Sequence, residues 1–220
     1  MEYRTLAWPP ETAALRLDHE RFAYAGKFVV PSGTAVAVEG DPSFPRPREG
    51  YACGVVAAAR FDPDRTDPGT LVVRYVTTRR DRRGAGTGPR LLAVVTAGAG
   101  EAGDSERERS DSASGDGGTR PFERVRIAVN NPFAHEAAAK AGFAFTGRET
   151  GLAELVCERS AGGAPRRVSP DAYRAGLSCF VDRDLAPEER AFVEARRERG
   201  PPAPVAVPGD PDPTRTGTGD

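Results

Sequence analysis

A chain of 220 residues with 31 basic and 32 acidic side chains carries a formal net charge of −1. That length fits one domain plus some dispensable sequence, and the balanced charge argues against a protein that coats nucleic acid or an anionic membrane. No apolar run approaches the ~20 residues of a spanning helix, and the start Met1-Glu2-Tyr3-Arg4-Thr5 lacks the pattern of a secretion signal. Cys53, Cys157 and Cys179 are too scattered for a disulfide framework or a zinc knuckle and read as small buried apolar residues, so a cytoplasmic protein without a metal is expected.

In chain order, residues 12–25 place Leu15 and Phe22 a heptad apart with charges between, which predicts an amphipathic helix stopped by Gly26. Lys27–Val30 and Thr34–Glu39 read as strands around a Pro31-Ser32-Gly33 turn, and residues 41–50, with three prolines, as an enlarged loop. The apolar run 52–61 and the β-branched run 71–78 are further strands. A helix follows from Pro89, then a low-complexity stretch over 98–120 that has too little apolar surface to order itself. Residues 125–129 alternate as a strand, Asn131 caps a short helix closed by Gly142, and 143–146 and 152–158 are closing strands. Helices over 170–180 and 187–199 present Leu177, Phe180, Phe192 and Val193, which suits packing on the core or across a homodimer interface. The expected division is a core domain over 1–160, a helical extension over 161–200 and a disordered tail over 201–220.

The chemistry-bearing segment is strand 71–78 running into Arg82-Arg83-Gly84-Ala85-Gly86-Thr87-Gly88 and a helix. Closely spaced glycines before a helix N-terminus let successive amides converge on an anion, as in a phosphate cradle. A Walker loop needs a Gly-Lys-Ser/Thr that is missing, and the dinucleotide fingerprint needs glycine where Pro89 stands.

Arg83-Gly84-Ala85-Gly86-Thr87-Gly88, followed by Leu91-Leu92, resembles motif A of the GNAT superfamily of acyl-CoA-dependent N-acyltransferases. Asn131-Pro132-Phe133-Ala134 with Gly142-Phe143 resembles that family's Asn-x-x-Ala … Gly-Phe segment, and the likeness spans residues 27–158. It implies an α/β fold: a mixed, mostly antiparallel sheet with one splayed parallel strand pair, flanked by helices. It implies acetyl-CoA as co-substrate, with pantetheine along Val76, Thr77 and Thr78 and the diphosphate on Arg83, Gly84, Ala85, Gly86, Thr87 and Gly88. Asn131 caps its helix and also reaches pantetheine, and the arginines at 79–83 face the phosphates.

Transfer would be by direct attack of a primary amine, from a small molecule or a peptide, with no nucleic acid or membrane partner. The family's usual tyrosine acid falls at Ala138, which leaves Tyr75, His135 or water as proton donors and Glu149 and Glu154 as candidate bases. That departure also keeps open a weakly catalytic CoA-binding sensor or interaction module on the same fold. An unrelated phosphate-binding α/β enzyme is a further alternative.

Overall fold

The computed structural model describes residues 1–101 and 122–208. Seven strands, β1 (Glu2–Ala7), β2 (Gly33–Ser43), β3 (Cys53–Pro63), β4 (Thr70–Thr78), β5 (Arg124–Val129), β6 (Ala144–Glu149) and β7 (Leu155–Ser160), form one sheet in the order β1-β2-β3-β4-β5-β7-β6. Neighbours are antiparallel except β4 and β5, which run parallel. The α-helices among the described residues are α1 (Thr87–Glu101), α2 (Pro132–Lys140), α3 (Pro170–Ser178) and α4 (Pro187–Arg199).

The two faces of the sheet bury different partners. On one, Ala35, Ala37, Ala57, Ala59 and Phe61 meet Leu91, Leu92 and Val95 of α1, the small alanines letting the helix approach closely. On the other, Val36, Val38, Val55 and Ala58 lie under Leu15, Leu17, Phe22, Ala25 and Phe28. The helix expected over 12–25 is absent. Leu15 and Leu17 both point inward at a period of two, and the segment is held extended by Ala13 N–H to Ser32 O (2.9 Å) and Leu15 N–H to Phe28 O (2.8 Å). Asp18 then opens a single turn, its carbonyl accepting from Arg21 N–H and Phe22 N–H and its carboxylate from Glu20 N–H, and the turn does not continue as a helix.

Lys27–Val30 is not a strand either. A short 3₁₀ turn covers Ala25–Lys27, and the residues that pair with β3 are instead those of β2, which continues through Asp41 and Ser43 into the expected loop. β1 is an edge strand that alternation over six residues did not announce. Helix α1 starts at Thr87 and runs to Glu101, into the stretch read as low complexity; the remainder of that stretch lies outside the described residues. Pro201 is buried, its carbonyl accepts from Arg167 (3.0 Å), and Val205 N–H donates to Lys140 O (2.8 Å). The tail is therefore anchored through Val205, and 209–220 lies outside the described residues.

Helix α2 has both ends closed as its sequence suggests. Asn131 Oδ1 accepts from Ala134 N–H (2.9 Å). At the other end Gly142 takes φ +85°, with Gly142 N–H to Ala139 O and Phe143 N–H to Ala138 O, the two bonds of a Schellman motif. The extension packs on this helix: Tyr173, Leu177 and Phe180 are fully buried in the main core. Glu136 joins α2 to both later helices, accepting from Tyr173 Oη (3.2 Å), Lys140 and Arg196.

His135 lies inside this packing, 1% exposed, with its ring stacked on Tyr173 and Nε2 3.1 Å from Tyr173 O. It is a core histidine and not an acid in an open cleft, which corrects the catalytic expectation. Gly176 exists for it: a Cβ there would stand 2.4 Å from His135 Cε1. Gly176→Ala is expected to cost about 1–3 kcal/mol by overpacking, read as a lower melting temperature.

Burial also lowers the His135 pKa below the ordinary 6.5, against the opposing pull of the Tyr173 carbonyl and Glu136. The unfolded chain takes up that proton and the folded one resists it, so this contribution is complete above the unfolded value and declines as pH falls beneath it. Thermal melts should therefore show lower stability at about pH 5.5 than at about pH 7.5, with a shallower slope in His135→Gln.

Candidate cofactor and acceptor site

Strands β4 and β5 pair only from Thr70↔Arg124 to Val73↔Ile127, although β4 continues to Thr78 and β5 to Val129. The two part at that point. A β-bulge sits there as well: the β3–β4 register shifts between Arg60↔Tyr75 and Phe61↔Val73, leaving Arg74 as the extra residue.

Beyond the bulge, β4 stays paired to β3 in the register Ala57↔Thr78, and Arg79 N–H donates to Val56 O (2.8 Å). Backbone groups alternate sides along an antiparallel strand, so Arg79 and Thr77 bond toward β3 while Val76 and Thr78 turn their N–H and C=O into the gap left by β5. Val76 and Thr78 thus carry the backbone groups that β3 leaves unpaired. Thr77 does not: its backbone serves β3 and its side chain is buried.

The gap leads to the glycine bend. Gly84 and Gly86 have φ of +81° and +77°, the left-handed region where glycine carries no steric cost. Residues 81–85 are exposed, and a Cβ on Gly84 would meet nothing within 4 Å, so the bend faces open space. Gly88 comes close to the strand end, where a Cβ would stand 3.3 Å from Thr78 Oγ1. Arg90 N–H bonds to Gly86 O (3.2 Å) and opens α1, leaving the first amides of a 15-residue helix directed at the bend.

The arginines before the bend divide into two kinds. Arg79 is buried and bonds Glu39 (3.0 Å) and Asp81 (2.7 Å), while Arg82 bonds both Glu39 oxygens at 2.8 and 2.7 Å. These two tie the loop to β2 instead of facing phosphate, contrary to the sequence reading. Arg83 makes no ion pair among the described residues. Arg90 went unnoticed in the sequence, yet its Nη1 donates to Ala85 O (3.0 Å) and lies against Gly86. Its position, one helical turn after Gly86, was the signal for it.

Ala138 is fully buried and supplies no acid. Tyr75 stands beside the bulge, 5.9 Å from the Tyr24 ring and under the Lys27 ammonium, 5.8 Å from its centroid. It lines a cleft of about 550 Å³ with Arg60, Asp62, Pro63, Arg65 and Arg74. Asn131 has both polar atoms engaged, Oδ1 in the cap and Nδ2 on Asn130 Oδ1 (3.0 Å). Glu149 pairs with Arg183 (3.1 Å) and Glu154 accepts from Thr150 Oγ1 (3.3 Å). Burial pushes the Cys157 thiol up to about 12, so it is no nucleophile, and Cys53 is exposed where a buried residue was expected.

Among the described residues no helix is long and apolar enough to cross a membrane, and no group of three or more His, Cys, Asp or Glu could hold a metal ion.

No family model matches the chain. No curated protein matches it either. Among solved structures, nourseothricin acetyltransferase is similar at 18% identity over 73% of this chain and 98% of its own, with a TM-score of 0.38. The NatC complex bound to Gag peptide and CoA matches at 14% identity over 60% of this chain and 71% of its own, with a TM-score of 0.35. Likeness at that level leaves activity to be argued from the site. In its own strand order, its single parallel pair that splays, and its glycine bend ahead of a helix, the chain has a GNAT-like α/β fold.

Proposed function

We propose that the chain transfers an acetyl group from acetyl-CoA to a primary amine, with both substrates held in one complex. One observation carries the reading. The gap-facing backbone of Val76 and Thr78 leads, past one short turn, to the left-handed bends at exposed Gly84 and half-buried Gly86 and to the amides that open α1. Pantetheine is itself a chain of amides and can add to an open strand edge as a peptide does. A diphosphate suits convergent amides at a helix N-terminus, with Arg83 and Arg90 as adjacent cations. The residues present therefore fit the group.

Bound there, acetyl-CoA supplies an acyl carbon activated as a thioester, so a C–N bond to the amine replaces the C–S bond and the electron pair leaves on sulphur. The roles left to the chain are positioning and proton handling. Val76 and Thr78 orient the arm along β4 toward the bulge at Arg74. Tyr75, next to the point where β5 departs, is the hydroxyl we assign to hand a proton toward the leaving sulphur, Ala138 being sealed in the core. The amine gives up its proton to solvent or to Asp62 in the adjoining cleft.

Titration calorimetry with acetyl-CoA tests this reading. Binding by the unmodified chain is expected, and no heat at millimolar cofactor would overturn it. Gly86→Glu places a side chain at φ +77°, 2.9 Å from Arg90 Nη1, and a carboxylate beside the diphosphate. It is expected to weaken binding by about a hundredfold or more.

A further inference from the structure

The cleft beside Tyr75 carries an unbalanced charge. Arg60, Arg65 and Arg74 line it against the single carboxylate of Asp62. Arg60 is already engaged, donating to Ser32 Oγ (2.8 Å) and Lys27 O (3.2 Å) and lying 3.6 Å from Asp62. Among the described residues Arg74 is held only by a 3.9 Å approach to Asp62, with its side chain 39% exposed. Arg65 is exposed and makes no ion pair among the described residues. The Lys27 ammonium over the Tyr75 ring adds a further cation at the same rim.

Position gives this surplus its meaning. Arg74 is the bulge residue itself, and the pairing of β5 to β4 ends one residue earlier at Val73. The recess, lined from β3, the β3–β4 connection and β4, thus has Arg74 at the apex of the gap, toward which the transferable end of a cofactor lying along β4 would point. Its volume, about 550 Å³, suits a small molecule.

We infer that the acceptor is a small primary amine that also bears an oxyanion, a carboxylate or a phosphate, recognised by the guanidinium groups of Arg74 and Arg65. This rests on the acetyl-transfer reading and names its substrate class. A planar guanidinium matches either oxyanion through paired N–H bonds, and Asp62 is placed to receive the ammonium of the same molecule. Only the neutral amine is a nucleophile, so the proton of that ammonium passes to Asp62 or to solvent before attack. Tyr75, with the Tyr24 ring 5.9 Å from its own, supplies an aromatic wall for the carbon skeleton between the two polar ends.

The full chain, saturated with CoA as an unreactive mimic, is titrated with matched pairs that differ only in the anion. L-phenylalanine against L-phenylalaninamide probes carboxylate, and phosphoethanolamine against ethanolamine probes phosphate. The anionic member of at least one pair is expected to bind about tenfold tighter or better. The preferred pair identifies the oxyanion. Arg74→Gln should erase the preference and Arg74→Lys should keep part of it, with CoA affinity unchanged in both.

Equal binding within both pairs, a preference that survives Arg74→Gln, or no binding of any amine to a CoA-loaded chain would each overturn the inference. A chain that shows the anion preference without binding CoA would instead sink acetyl transfer and leave the cleft assignment standing.

Discussion

The parting of two parallel strands governs the rest of this molecule. Inside a sheet, backbone donors and acceptors are ordinarily satisfied by the next strand, and an unpaired pair of residues needs water or a ligand. Here β5 stops pairing at Ile127 while β4 continues five residues past Val73. The bulge at Arg74 falls at that branch point, and it re-aims β4 so that Val76 and Thr78 face the opening.

Several independent contacts hold that geometry in place. On its other edge β4 remains in register with β3, which pairs in turn with β2. Glu39 of β2 grips Arg79 and Arg82 and so fixes the strand exit that precedes the bend. Thr87 and Pro89 are buried, which seats the start of α1, and Gly88 allows the helix to sit close to Thr78. A bend clamped on both sides would lose little freedom on taking up an anion, which is the condition under which backbone amides bind tightly. At a distance, the Glu136 cluster fastens α3 and α4 to α2.

Much of this was legible from the chain alone where local chemistry and tertiary role coincide. The run 71–78, the glycines at 84 and 86, the Asn131 cap and the Gly142 stop each demand one local structure, and each formed. Where two periods fit the same residues, the tertiary context decided. Leu15 and Phe22 suit a heptad, but Leu15 and Leu17 suit an extended strand-like segment, and the apolar face of the sheet at Val36 and Val38 is buried by both leucines. His135 and the 79–82 arginines illustrate another limit. Their types suggest chemistry, while their partners, Tyr173 and Gly176 in one case and Glu39 in the other, lie some forty residues away and are set only by the fold. The cleft at Arg74 was invisible for the same reason, because it is assembled by a bulge and the register of β3.

The account stands or falls on the open edge of β4, and residue-resolved amide hydrogen exchange with and without CoA reads it directly. Thr77, already bonded to β3, should exchange slowly in both states. Val76 and Thr78 should exchange faster in the free chain and slow markedly at one or both positions when CoA is added. Unchanged exchange at both, in a chain that demonstrably binds CoA, would place the cofactor elsewhere and contradict the account.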